Sequence, residues 1–320
     1  MKFKATFTDR GLRTLEKGIC PALERHGKAC HMLLSREDVH LIQTTLDADG
    51  MLICARWAIE VLFEPSTYTC DSRHHNLIAF QLEVGLLRRV LQAAGANDAD
   101  SLEVKLAMRA VPTGTNTPPV SKPFLTFTCR GLNLNMVQDL PISKPHLPAE
   151  IDRLVMDKDI TQVCPFYLDL QGEGQRLQAI VDKLRSISAT MTLVTTKHGH
   201  LHLQVAAEQL QLATEVQSLE VLPAAVARDA QPLSEAAPEG RLREAARNGD
   251  AASAIVQVKH FTKSLHSSQL TQPAQVLCGI GETGGHVHFM FVYRDPFSEA
   301  GYDDKISLSY KLPVLQDNDL

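Results

Sequence analysis

Seven cysteines are scattered through 320 residues, and none forms a CxxC pair. That spacing argues against a disulfide frame and against a thiolate zinc site, and it suits a reducing compartment. No run approaches the 18 apolar residues of a membrane span. The opening MKFKATF alternates like a strand and lacks the apolar core of a signal peptide, so an intracellular protein with no membrane partner is expected. There is no GxSxG elbow, no HExxH and no P-loop. The acidic residues are dispersed over DADG, NDAD, RDPFSEAGYDD and DND, which reads as a solvated exterior and not as an acid/base pair. Nor is there an excess of positive charge: the net of −5, taken alone, disfavours nucleic acid, whose phosphates are bound through Lys and Arg.

What is present is a duplication. KFKATFTD followed by GLRTLEKGICPALERHG, and VCPFYLDL followed by QGEGQRLQAIVDKLRSIS, are two strand-then-helix units about half a chain apart, and long alternating strands follow each. A chain that is 44% hydrophobic and 22% charged can bury two cores of about 150 residues each. The expected domains are 1–138 and 160–320, joined by a proline-broken connector at 139–159. The Ala-, Pro-, Glu- and Arg-rich stretch 223–252 reads as a mobile loop.

Charge is unevenly distributed between these elements. Four candidate helices, 10–28, 84–95, 172–188 and 258–268, hold twelve basic and four acidic residues. They carry +8 and leave −13 for the remainder. In the first, Leu12, Leu15, Ile19 and Leu23 form an apolar stripe with Arg13 and Lys17 on another face, and Pro21 must kink or restart the helix. In the second, Gly95 is placed to end the helix. In the third, Leu177, Ile180, Val181 and Leu184 face inward, with Arg176, Lys183 and Arg185 off the stripe.

Three motifs invite other functions. GIGETGG has GxGxxG spacing, but it runs into the alternating strand HVHFMFVY, so a hairpin turn is expected and not a dinucleotide loop. His198, His200 and His202 fall at two-residue spacing, as do His286 and His288. With no acidic residue alternating among them, the expectation is turn and edge-strand histidines, and no metal. Trp57 lies within a strand and is expected to be packing.

The opening MKFKA, DLPI at 139–142, VLCGI with VHF at 287–289, and ISLSYKLPVL at 306–315 occur in an order and spacing that resemble the Hus-one family. That family is the smallest subunit of the heterotrimeric checkpoint sliding clamp related to proliferating cell nuclear antigen. The resemblance implies an α+β, two-domain DNA sliding-clamp fold, each domain with two helices backed by antiparallel sheets. It implies a non-enzymatic subunit without cofactors, partnered by Rad-nine-like and Rad-one-like subunits and a checkpoint clamp loader. It further implies a nuclear location and a ring that encircles double-stranded DNA without sequence specificity. By position, the pore candidates are Arg13, Lys17, Arg25, Arg88, Arg89, Arg176, Lys183, Arg185, Lys259 and Lys263. The interface edges are expected at 132–137 (Leu132, Leu134, Met136) and 210–216 (Leu210, Leu212, Val216). Three rivals remain at this point: a homotrimeric replication clamp, which the long loop at 223–252 does not favour, a metal-dependent hydrolase built on His198, His200 and His202, and a scaffold that never touches DNA.

Overall fold

The computed structural model describes residues 1–96, 101–112, 119–131, 135–158, 164–207, 210–235, 237–282, 284–294 and 302–315. The chain forms two compact units, Met1–Asp159 with Lys305–Leu308, and Ile160–Asp304 with Ser309–Leu320. In the first, one antiparallel sheet has the order Thr69–Asp71, Lys2–Thr6, Ser101–Val111, Val120–Arg130, Asn135–Pro141. A second group runs Leu52–Ala58, Asp38–Gln43, Ala29–Leu34, Ile78–Glu83. The second unit repeats both orders. Glu220–Leu222, Tyr167–Asp169, Gln275–Ile280, His286–Arg294 and Tyr302–Pro313, apart from its Lys305–Leu308 stretch, form one group. Leu210–Val216, Leu201–Ala207, Thr190–Thr196 and Ala251–Gln257 form the other. The duplication read from the two strand–helix openings therefore extends to the whole pairing scheme.

Each unit packs two helices together. The first helix starts where the Thr8 side chain accepts a hydrogen bond from the Gly11 amide at 2.9 Å, which satisfies one of the unpaired donors of a helix start. Pro21 cannot donate, and the helix meets this with a widened turn. Across Thr14–Ile19, the Cys20 amide reaches back five residues to the Leu15 carbonyl, and Cys20–Glu24 then resumes as ordinary α-helix with Pro21 in its first turn, so the wide turn falls immediately before the residue that cannot donate. Leu15, Ile19 and Leu23 are buried; Leu12 is only half-buried. Gly11 lets the helix backbone touch Ile59–Leu62, since a Cβ there would lie 2.6 Å from the Leu62 Cα. The second helix, Val84–Ala96, buries Val84, Leu87, Leu91 and Ala94. Gly95 falls inside it and has no positive φ, so it is not the helix terminator that its position suggested.

Two other expectations are corrected. The connector is not irregular throughout: Pro148–Lys158 is a helix, and its Ile151 and Leu154 pack on Leu33, Ile42, Cys54 and Ala79 of the first unit. Its proline sits at the helix start, where it is tolerated, and the Glu150 carboxylate accepts from the Leu147 amide at 2.7 Å. The expected loop at 223–252 carries the helices Ala224–Asp229 and Pro238–Arg247. Ala, Glu and Arg are helix formers as well as loop formers, and Glu244 ties the second helix to Ser234 and the Glu235 amide.

Trp57 is fully buried. GIGETGG turns a hairpin: Ile280 pairs with Val287, and the Gly281 amide bonds the His286 carbonyl at 3.0 Å. A Cβ on Gly281 would lie 2.6 Å from the His286 ring, leaving no room for a phosphate cradle.

All seven cysteines are buried as free thiols, and burial raises Cys20, Cys30 and Cys278 well above the ordinary thiol range. The native protein is expected to give almost no thiol titration with an aromatic disulfide reagent and seven equivalents in denaturant; rapid native labelling would contradict this packing. Burial, helped by Lys158, lowers His40 to about 4, and burial likewise lowers His288 to about 4, from 6.5. As pH falls through 6.5 the unfolded chain takes up these protons while the folded chain does not until about pH 4. Stability is therefore complete above the upper value and lost across that window, by up to about 3 kcal/mol per group. Denaturant midpoints measured from pH 7 to 4 should show this fall, and His40→Leu should flatten it.

Candidate nucleic-acid interface and sheet edges

In the first unit, Arg13, Lys17 and Arg25 are exposed on the first helix and Arg89 on the second. Val84, Leu87, Leu91 and Ala94 define the packed side of Val84–Ala96, and at 100° per residue Arg89 lies opposite it while Arg88 lies on its flank. Arg88 is half-buried, with its guanidinium 3.0 Å from the Glu24 carboxylate of the neighbouring helix. It thus links two helices, and part of its charge is already spent. An exposed pair of this kind contributes under about 1 kcal/mol.

In the second unit, Gly174–Arg185 packs on Val258–Thr271. Leu177, Val181 and Leu184 are buried, joined by Gln178, while Ile180 is half-buried. Arg176 and Lys183 are exposed seven residues apart, along one line of the helix. Arg185, also exposed, turns toward the flank. Arg176 additionally meets Glu173 at 3.3 Å. Lys259 and Lys263 are only half-exposed, because Val258–Thr271 is largely buried. Its hydroxyls bond back to its own carbonyls, Thr262 to Val258 at 2.9 Å and Ser264 to His260 at 3.0 Å, which is how a polar helix satisfies itself away from water. The ten candidate cations thus fall on two helix pairs, one per unit, with Arg88, Lys259 and Lys263 less available than the rest.

Asn135–Pro141 hydrogen-bonds to Val120–Arg130 on one side, and Leu210–Val216 to Leu201–Ala207 on one side; among the described residues neither has a second neighbour. Leu132 and Leu134 lie outside the described residues. Met136 is half-buried, and the exposed apolar side chain of that strand is Val137, at 57%. Leu210 and Leu212 are exposed, at 49% and 38%, whereas Val216 is buried at 1% and belongs to the core. Asp139 anchors the first edge, held by the Arg109 guanidinium at 2.9 Å and the Thr126 hydroxyl at 2.6 Å.

The histidine row divides. His198 reaches the Gln231 carbonyl at 2.6 Å, on the 223–252 segment. His200 and His202 instead face Glu215, which the strand register places opposite His202. Glu215 Oε1 is 3.5 Å from His200 Nδ1 and 3.7 Å from His202 Nε2, while Arg241 holds the same carboxylate. Burial lowers both imidazoles, against the pull of Glu215. Burial alone would raise Glu215, but hydrogen bonds from Arg241 and Gln217 and the charge near His202 bring it below its ordinary value. The acidic neighbour missing from the linear pattern is supplied across the ladder. Of the second pair, His286 and His288 are both buried, with His288 Nδ1 bonded to the Tyr167 hydroxyl at 2.9 Å.

Two similar units, each with paired helices on antiparallel strands, define a sliding-clamp fold. The chain superposes on proliferating cell nuclear antigen of Entamoeba histolytica with a TM-score of 0.59 at 11% identity, covering 98% of this chain and 99% of that one. The antigen of Thermococcus kodakaraensis gives 0.57 at 15% identity, over 98% and 100%. The model of the Hus1-like protein family matches residues 1–316, and the chain belongs to that family. It is 24% identical to the checkpoint protein hus1 homolog of Dictyostelium discoideum over 99% of this chain and the whole of the relative.

Proposed function

We propose that this protein is a non-enzymatic subunit of a DNA-damage checkpoint clamp. It joins Rad-nine-like and Rad-one-like subunits in a heterotrimeric ring that a checkpoint clamp loader places around double-stranded DNA in the nucleus. There the ring serves as a platform for checkpoint signalling and repair. The observation that carries this reading is the family match along nearly the whole duplicated clamp fold. Its Dictyostelium relative is itself named a checkpoint protein. Two further features support it. The helix pairs carry a net positive charge in a chain whose overall net charge is −5, and seven of their ten candidate cations are exposed, which suits loose, sequence-blind phosphate contact. Two edge strands with exposed Val137, Leu210 and Leu212 suit β-augmentation by neighbouring subunits. The helix pairs supply the DNA-facing side chains, with Arg13, Lys17, Arg25, Arg89, Arg176 and Lys183 foremost. The hydrolase rival is not favoured: the histidine row it requires is divided, with His198 bound to a backbone carbonyl.

Combining Arg13→Glu, Lys17→Glu and Arg89→Glu should shorten retention of the loaded ring on circular DNA by about tenfold at moderate salt, with assembly unchanged. Retention equal to wild type would remove the first helix pair from the DNA-facing surface. Leu212→Glu places a charge in the apolar row of one edge. It should abolish co-purification with one partner subunit while leaving the chain folded by circular dichroism; normal co-purification would mean that Leu210–Val216 is not an interface.

A further inference from the structure

We propose that His200, His202 and Glu215 form a binding site for a divalent transition metal of the zinc class, clasping the edge strand Leu210–Val216 to Leu201–Ala207. His202 and Glu215 are directly opposed in the antiparallel register. His200 lies two residues before His202, so all three side chains stand on one face. One donor atom from each falls within 4.8 Å of the others. The separations from Glu215 Oε1, 3.5 Å to His200 Nδ1 and 3.7 Å to His202 Nε2, exceed the roughly 2.7–3.2 Å of a hydrogen bond. They match instead the edge of a tetrahedron with metal–ligand bonds of about 2.1 Å, which is about 3.4 Å.

Both nitrogens are buried and make no hydrogen bond, a state that normally costs free energy and that a metal would relieve at both atoms together. Two imidazoles and one carboxylate suit zinc, cobalt(II) or nickel(II) better than calcium or magnesium. Arg241 and Gln217 both donate to Oε2 of Glu215, and Arg241 Nε also lies 3.3 Å from Oε1. They fix the carboxylate, with Arg241 Nε donating to Oε1 itself and so occupying one of its lone pairs, and the guanidinium charge opposes the incoming cation. Arg241 thereby sets the affinity. Three protein ligands leave the fourth position to water. The site is independent of the clamp reading, since it involves neither the helix cations nor the exposed side chains of the edge.

The test uses the full chain without a histidine tag, stripped with chelator and titrated with cobalt(II), followed by displacement with zinc. Wild type should take up one equivalent, with the visible absorption of tetrahedral cobalt, and zinc should bleach it. His202→Gln and Glu215→Gln should lose that absorption. Arg241→Gln keeps all three ligands and should bind cobalt several-fold more tightly, a response that a merely structural ion pair would not give. Wild type with no tetrahedral cobalt signal would overturn the proposal. So would a His202→Gln variant, folded by circular dichroism, that binds cobalt as well as wild type, because the metal would then lie on other histidines.

Discussion

Backbone N–H and C=O groups at the edge of a sheet must find a strand or water, and each unit of this chain ends one sheet on such an edge. Asn135–Pro141 and Leu210–Val216 each have one hydrogen-bonded neighbour among the described residues. Water can satisfy those groups, but it does not cover Val137, Leu210 and Leu212, which stand exposed on the same strands. A partner strand satisfies both requirements at once. The rest of the architecture follows from presenting these edges intact. Both are paired along their length with the inner strands, Asp139 is pinned by Arg109 and Thr126, and the second edge is backed by the Arg241–Glu215 contact from the helix Pro238–Arg247.

Charge follows the same division of labour. Helices that pack one face on a sheet have the opposite face for solvent, and here that face holds Arg13, Lys17, Arg89, Arg176 and Lys183. Of the acidic residues on these helices, Glu24 pairs with Arg88, Glu173 with Arg176, and Asp182 accepts from the Gln178 amide. A ring that must move along DNA has no use for deep, desolvated phosphate sites, and exposed cations on long flexible side chains provide contact that is weak, salt-sensitive and indifferent to sequence.

Much of this was legible in the chain itself, for reasons that can be named. The stripes Leu15, Ile19, Leu23 and Leu177, Val181, Leu184 report on packing because helical periodicity is local, and the hairpin at GIGETGG is local too. The apolar period Ile151, Leu154, Val155 of the connector helix was equally present, but it was hidden by neighbouring prolines, one of which sits at the helix start. The helices at 224–229 and 238–247 have a composition shared by loops and helices alike. Glu215 could not be placed beside His200 and His202 by spacing, since the contact depends on strand register. Nor could the availability of Val216, Lys259 or Arg88, which depends on what packs over each one.

In the proposed ring, the two edges are completed by different but related subunits. Native mass spectrometry of the chain co-expressed with Rad-nine-like and Rad-one-like subunits tests this most directly. The account predicts a single closed particle with one copy of each chain. A particle containing three copies of this chain alone, or a monomer that ignores both partners, would contradict it.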